Sequence, residues 1–329
     1  MTTAAPAVRR WLRRGFLLWA AVSTAWLADS MRTRDVPDRM LRSSASVTVV
    51  DNAATMEFVP TASARKTGLI FFCGSGVSAS AYAPLLRPLA DAGFTVSIVR
   101  LPYRFAPFEA NKLAAIQRAE DVIAAHPGIL RWVVSGHSLG GALSCRLIET
   151  DPRRVAGLVL IGTTHPKDRD LSSLAIPVTK VYATNDGVAP AARVLANRHL
   201  LPAHTTWVQI RGGNHSQFGN YGRQLLDGKA SISREAQQAL TRAALLDVLT
   251  GVERGARSSE STSSRRSYFD HGGTTPLVRA YAMDCPRCSC WSPRMSISAL
   301  CFVMSLPNSF TGDCRSLSES AAIVFCRLR

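Results

Sequence analysis

Three residues in the middle of the chain have the types needed for acyl transfer. Ser138 lies in the pentapeptide GHSLG, and Asp186 and His215 follow it along the chain. A serine hydroxyl is too weakly acidic to attack a carbonyl group unaided, so it needs a base within hydrogen-bond reach and a group that orients that base. We therefore predict a triad in which Ser138 is the nucleophile, His215 the general base and then acid, and Asp186 the orienting carboxylate.

The segment around Ser138 indicates how the fold would present this hydroxyl. An apolar run over residues 132–134 precedes GHSLG, and apolar residues at helical spacing follow it over residues 143–148. Strand, tight turn and helix is the predicted order. In a G-x-S-x-G turn the serine backbone is strained, and the glycines let strand and helix approach closely. The backbone N–H of Leu139, at the helix start, is predicted to face an oxyanion.

The two partners of Ser138 are predicted at the ends of later strands. Asp186 follows the predicted strand VTKVYA, and His215 follows the predicted strand TTWVQI. Turn-forming residues surround both positions, which suits side chains presented where a strand ends. His165, after an earlier strand, remains an alternative base. Asp168 and Asp170, in a charged loop, remain alternative carboxylates.

The other elements predict an α/β fold with a doubly wound, mostly parallel sheet. Continuous apolar runs such as GLIFFC and VAGLVLIG are typical of strands that are buried on both faces. They alternate with helical segments up to residue 250, and SVTVVDNAATMEFVP before them predicts a hairpin. We thus expect a catalytic domain over residues 46–250. The connection over residues 163–176 is too short for a large lid domain.

Three stretches resemble one known family: GLIFFCGSGVSASAYAPL, GHSLGG, and the pair ATNDGVAP with GGNHSQFGNYG. They resemble the α/β-hydrolases over residues 68–250, in particular small esterase-like members related to dienelactone hydrolases. The resemblance implies a serine hydrolase that forms an acyl-enzyme from a small or short-acyl ester, without metal or organic cofactor. It also implies a second oxyanion N–H from the loop after the first parallel strand. Aligning Cys73-Gly74 with the family's usual His-Gly pair points to Ser75, and Gly76 is nearly as good a candidate.

Two other functions compete with the hydrolase interpretation. Residues 74–79 fit the dinucleotide fingerprint G-x-G-x-x-G/A, and Arg100 is a candidate for holding the 2′-phosphate of NADP. Pro84, a typical first-turn residue, places the helix start too late for this fingerprint, and an NADP-binding Rossmann oxidoreductase would leave Ser138 and His215 unexplained. A non-catalytic α/β-hydrolase-like binding protein is the other alternative.

The first 34 residues have the layout of an export signal. Basic residues precede an apolar run over residues 16–28, which is short for a membrane span. We predict a signal peptide or an uncleaved signal anchor, so that the catalytic domain is extracytoplasmic and either membrane-anchored or secreted. The alternative is an amphipathic surface helix. The basic residues that precede the apolar run are Arg9, Arg10, Arg13 and Arg14.

The distribution of charge argues against nucleic acid as a partner. The net charge of +16 is spread along the chain, and no basic segment interleaves with aromatic residues as a nucleic-acid platform would. A small-molecule ester is the expected partner.

Residues 251–329 are rich in Ser, Arg and Cys and are predicted to be disordered. The Cys285–Cys288 spacing leaves a zinc site as one alternative for this tail. Disulfide formation among its cysteines is another.

Aromatic residues near the predicted site are candidates for an apolar substrate pocket. They serve equally well as packing residues, because their types alone do not separate the two roles. The candidates are Tyr103, Phe105, Phe108, Phe218 and Tyr221.

Overall fold

A computed structural model describes residues 6–62, 64–150 and 153–269 of the protein. Its centre is an eight-stranded sheet in the order β1-β2-β4-β3-β5-β6-β7-β8, in which β1, β2 and β4 pair antiparallel and the other neighbours pair parallel. The strands are β1 (Val47–Asp51), β2 (Thr55–Pro60), β3 (Thr67–Phe72), β4 (Thr95–Val99), β5 (Arg131–His137), β6 (Val155–Ile161), β7 (Val178–Ala183) and β8 (Thr206–Ile210). The helices are α1 (Pro6–Ser30), α2 (Ala83–Asp91), α3 (Glu109–Ala125), α4 (Leu139–Thr150), α5 (Ala191–Ala196) and α6 (Arg234–Phe269).

Helices cover both faces of this sheet. Helix α2 packs against α6, and α3 packs against α4. Strands β3, β4 and β7 are buried along their whole length, and in β3 this burial explains the continuous apolar run of the sequence. The predicted doubly wound α/β fold, its hairpin and its mostly parallel sheet are therefore confirmed. No lid domain interrupts the connection between β6 and β7, which the structure describes throughout.

Helix α1 lies outside the sandwich of sheet and helices. Its side chains from Val8 to Asp29 are mostly exposed. Among the residues that the structure describes, no helix has the length and apolar character needed to cross a membrane. A spanning signal anchor therefore finds no support in this segment. Export and an extracytoplasmic location stay predictions.

The last helix continues beyond residue 250, where the sequence predicts the end of the catalytic domain. Val252 is buried on the same side of α6 as Leu249 and Leu245, which lie one turn and two turns earlier. Glu253 is also buried, and its carboxylate accepts a 2.6 Å hydrogen bond from the hydroxyl of Thr67 at the start of β3. The helix thus attaches to the sheet past the predicted boundary. The zinc and disulfide alternatives at residues 285–326 fall outside the described residues.

Candidate active site

Ser138 occupies the sharp turn between β5 and α4. Its φ angle is +56°, in the left-handed region that a non-glycine residue rarely adopts. Two backbone hydrogen bonds hold this conformation: the Ser138 N–H donates to the Ile161 carbonyl at 3.0 Å, and the Ser138 carbonyl accepts from the Gly141 N–H at 3.0 Å. The side chain is only half-buried. The turn therefore presents the hydroxyl at the carboxyl edge of the sheet, as a nucleophile elbow does.

The glycines on either side of Ser138 are required by close backbone approach. A Cβ on Gly136 would lie 2.2 Å from the carbonyl carbon of Gly140, and a Cβ on Gly140 would lie 2.1 Å from the carbonyl oxygen of Phe72. Any side chain at these positions would push α4 away from β5 and β3. The strained turn depends on this contact, because only packing on both sides can hold a residue in an unfavourable conformation.

Asp186 and His215 form a buried pair. His215 Nδ1 lies 2.8 Å from Asp186 Oδ2, and neither side chain is exposed. The other carboxylate oxygen accepts the backbone N–H groups of Val188 at 2.9 Å and Ala189 at 2.6 Å. Since a carboxylate only accepts hydrogen bonds, Nδ1 carries the imidazole proton and Nε2 is left as an acceptor. Nε2 is buried and has no hydrogen-bond partner in the described part of the chain.

The alternative base and carboxylates do not form such a pair. His165 Nδ1 is 3.9 Å from the carboxylate of Asp168, and burial lowers the pKa of His165 to about 4. Asp168 and Asp170 are exposed, and Asp170 accepts the backbone N–H of Ser172. The structure brings Asp186, and neither alternative carboxylate, to His215.

A second buried histidine, His137, precedes Ser138 in the sequence and packs against the ring of His215. The ring of His137, the residue before Ser138, has its centroid 4.5 Å from that of His215. His137 Nδ1 lies 2.9 Å from the hydroxyl of Tyr82, which in turn accepts the backbone N–H of Gly74 at 2.9 Å. The Tyr82 hydroxyl thus links the backbone of Gly74 to the His137 ring through two buried hydrogen bonds. Burial pushes the pKa of His137 well below its usual value, so this imidazole stays neutral.

Of the three N–H groups of residues 74–76, in the loop after β3, two donate to protein acceptors. Gly74 donates to Tyr82, and Gly76 donates to the carbonyl of Arg104 at 2.7 Å. Within the described ranges, neither the Ser75 N–H nor the Leu139 N–H donates to a protein acceptor. This favours Ser75 over Gly76 as the partner of Leu139 in binding an oxyanion.

Asp227 is a buried residue beside His215 that the sequence analysis missed. Its buried carboxylate accepts the backbone N–H of His215 at 3.0 Å, and both the N–H and the hydroxyl of Ser216, at 2.9 and 2.6 Å. Gln237 binds the N–H and the carbonyl of the preceding Asn214 at 3.0 and 2.7 Å. These two side chains fix the backbone from which His215 projects. The turn dipeptide Asp227-Gly228 was the signal available, but nothing in it pointed to His215.

The five candidate pocket aromatics divide into two groups. Phe218 and Tyr221 are fully buried, and the Phe218 ring lies 5.5 Å from that of His137, so both act as packing residues beneath the histidine loop. Tyr103, Phe105 and Phe108 are exposed in the loop that follows β4.

Lys180, on strand β7, is a buried basic residue. Its ammonium group donates to the carbonyl of His165. It has no carboxylate partner among the described residues. Burial lowers the pKa of Lys180 to about 7. The folded chain thus holds a charge that desolvation disfavours.

We expect Lys180→Met to stabilise the protein at pH 6. In the wild-type chain, the unfolded state binds more protons than the folded state between about pH 7 and 10.5, so stability rises with pH across that window. Below pH 7 the full penalty persists, and removing it should raise the free energy of unfolding by roughly 1 to 4 kcal/mol. Urea unfolding at several pH values measures this difference, which should shrink steadily above pH 7. The exposed Lys167→Met variant is the control, and a pH-independent difference for Lys180→Met would contradict the argument.

Comparison with known proteins identifies the family. The sequence model described as "Alpha/beta hydrolase family" matches residues 68–239, more than half of the chain. The protein therefore belongs to the α/β-hydrolase family, as the resemblance implied. No curated protein matches its sequence.

Solved structures of similar fold come from several microorganisms. A predicted CIB-like hydrolase from Thermoplasma acidophilum is 16% identical, with a TM-score of 0.46 over 60% of this chain and 96% of that one. A putative α/β-hydrolase of unknown function from Agrobacterium tumefaciens is also 16% identical, with a TM-score of 0.48 over 62% and 97%. An α/β serine hydrolase homologue from Coxiella burnetii is 14% identical, with a TM-score of 0.45 over 63% and 99%.

The dinucleotide alternative loses its support. Helix α2 begins only at Ala83, well after Gly76, so its N-terminus cannot face a pyrophosphate held by the glycine loop. The guanidinium of Arg100 is paired with the carboxylate of Asp51. The protein thus belongs to a hydrolase family. The residues around Ser138 are the evidence for the type of bond that it cleaves.

Proposed function

We propose that the protein is a serine hydrolase that cleaves carboxylic esters through an acyl-enzyme intermediate. The observation that carries this proposal is the strained Ser138 turn beside the buried Asp186–His215 pair, whose Nε2 is left without a partner. A hydroxyl, a base and an orienting carboxylate are the groups that acyl transfer needs. The chemistry requires no metal or organic cofactor.

Each group has one task in this reaction. As the Ser138 oxygen attacks the ester carbonyl carbon, its proton passes to His215 Nε2, and the N–H groups of Leu139 and Ser75 stabilise the oxyanion. Asp186 stabilises the imidazolium that forms. The carbon–oxygen bond to the alcohol then breaks, and the alcohol leaves with the proton from Nε2. Water repeats the sequence on the acyl-enzyme, releasing the acid and restoring Ser138.

Small or short-acyl esters are the soluble substrates that we propose for this site. A cavity of about 350 Å³ begins at Leu139 and runs along the first turns of α4. Ala142 and Leu143 supply apolar surface there, and the rest of the lining is polar or charged: Glu109, Lys112, Arg146, His165, Asp168 and Arg169. This is near the lower end of the volumes that hold small ligands. The absence of a lid between β6 and β7 leaves the site without an enclosed tunnel for a longer chain.

Labelling with a fluorophosphonate tests the proposal directly, because this probe phosphonylates a serine only where a base and an oxyanion site activate it. We expect one adduct per folded chain, mapped by peptide mass to Ser138, and none after heat unfolding. Hydrolysis of p-nitrophenyl butyrate should disappear with the same stoichiometry. A folded protein that takes no label and hydrolyses no ester would instead fit the non-catalytic binding alternative.

A further inference from the structure

Helix α1 presents an apolar surface that nothing in the described chain covers. Trp11 is 72% exposed, and most other large apolar side chains of the helix are comparably exposed. A helix of this length gains most of its stability from packing its apolar side chains, so such a surface marks a contact with something else. The exposed large apolar residues of α1 are Val8, Trp11, Leu12, Phe16, Leu17, Leu18, Trp19, Val22, Trp26 and Leu27.

The distribution of residues around α1 identifies the partner. Trp11, Trp19 and Trp26 are spaced by about two helical turns each, which places them on one side of the helix. The four arginines at positions 9, 10, 13 and 14 centre on the opposite side. Tryptophan concentrates at the boundary between lipid headgroups and acyl chains, and arginine binds anionic headgroups. With no helix of the described residues able to span a bilayer, this pattern fits a helix that lies in the membrane surface.

The end of α1 is attached to the candidate active site. Met31 lies against the loop after β3, where its Sδ atom would be 1.9 Å from a Cβ on Gly76. The Arg104 guanidinium donates to the Met31 carbonyl at 3.2 Å. The Arg34 N–H donates to the carbonyl of Asn220, in the loop that follows His215, at 2.8 Å. The chain leaving α1 therefore touches both the loop that holds Ser75 and the loop that holds His215.

Exposed apolar side chains also occur on two loops at the carboxyl edge of the sheet. They come from the loop after β4 and from the loop that follows His215. These are the loops that the chain leaving α1 contacts, through Met31 and Arg34. The exposed apolar residues of these two loops are Tyr103, Phe105, Phe108, Leu225 and Leu226.

We propose that α1 docks this hydrolase on an anionic bilayer and that its substrate there is the acyl ester of a membrane amphiphile. This substrate assignment rests on the proposed function. The open site needs to hold only the ester group and the first carbons of the acyl chain, because the bilayer keeps the remainder in an apolar environment. The same site accepts short soluble esters, because these consist of the part of the substrate that the protein binds.

Vesicle sedimentation of the full-length protein tests the docking surface. We expect binding to vesicles of phosphatidylcholine with one third phosphatidylglycerol, and much weaker binding to phosphatidylcholine alone. Replacing the four arginines by Gln should weaken binding to the anionic vesicles by at least roughly 100-fold, because each basic residue near such a surface contributes about fivefold. The triple variant Trp11→Ala, Trp19→Ala and Trp26→Ala should weaken binding by at least roughly 10-fold. Leu130→Ala and Leu240→Ala, at exposed sites far from α1 in sequence, are the matched controls.

Rates on two substrates separate this proposal from the proposed function. A long-chain glycerol ester carried in the anionic vesicles should be hydrolysed at least 10-fold more slowly by the arginine and tryptophan variants. Hydrolysis of p-nitrophenyl butyrate in solution should stay within twofold of wild type, which also shows that the variants are folded. Wild-type protein that remains in the supernatant, variants that bind like wild type, or a dimer in solution that the tryptophan variant dissociates would overturn the docking surface. Vesicle binding without hydrolysis of either ester would overturn the substrate assignment together with the proposed function, and leave the docking surface standing.

Discussion

Ser138→Ala should reduce kcat for p-nitrophenyl butyrate by at least about 10⁴-fold. The hydroxyl is the only group that the proposed mechanism places in bonding contact with the substrate carbon, and no neighbouring group can substitute for it. Cys73 and Cys145, the nearest thiols in sequence to the elbow, are both buried, and burial raises the pKa of each to about 12. Removing the catalytic serine of a serine protease costs about 10⁶-fold in kcat.

Ser135→Ala is the matched control for this prediction. Ser135 lies on the same strand, is fully buried, and its hydroxyl has no hydrogen-bond partner among the described residues. Its removal should leave both kcat and the thermal midpoint close to wild type, because no bond is lost. Purified Ser138→Ala protein that unfolds like wild type yet retains its turnover would show that the chemistry occurs elsewhere.

Asp186→Asn should lower kcat by at least about 10²-fold. An amide can continue to accept the N–H groups of Val188 and Ala189 only through its oxygen, which turns the NH₂ group towards His215 Nδ1. That contact favours the imidazole tautomer with the proton on Nε2, and a protonated Nε2 cannot accept the proton of Ser138. The corresponding change in a serine protease costs about 10⁴-fold in kcat.

Asp168→Asn and Asp170→Asn are the controls for this variant. Both residues are exposed in the connection between β6 and β7, so their kcat values should remain within a few-fold of wild type. Steady-state kinetics of the three single variants gives the comparison. A large loss at Asp168 or Asp170, with Asp186→Asn near normal, would assign the orienting role to that loop.

Much of the fold was predictable because burial on both faces of a parallel strand leaves a clear mark in sequence. The runs at β3 and β6 contain almost no polar side chains, and each was expected where the structure has it. The turn at Ser138 was predictable for a different reason. Gly136 and Gly140 are where a strand and a helix meet closely, and few other arrangements demand glycine at both positions.

Other features of the site depend on contacts between segments that are distant in sequence. The choice between Ser75 and Gly76 turns on the Arg104 carbonyl, which accepts one of the two N–H groups. Asp227 orders the backbone at His215 from a loop with no recognisable motif. Val252 and Glu253, just past the predicted end of the catalytic domain, lie in a region of weak periodicity, although both are buried. The catalytic roles of Ser138, Asp186 and His215 stay predictions until the variants are measured.

Burial of His137 limits the number of charges that can form around His215. In the proposed reaction His215 takes the proton of Ser138, and its positive charge then lies beside a tilted imidazole ring, 4.5 Å away between centroids, that burial keeps neutral. Two like charges at that separation would repel strongly in a buried environment. A neutral ring adds no such repulsion, and the Asp186 carboxylate on the other side of the imidazole is left to balance the charge.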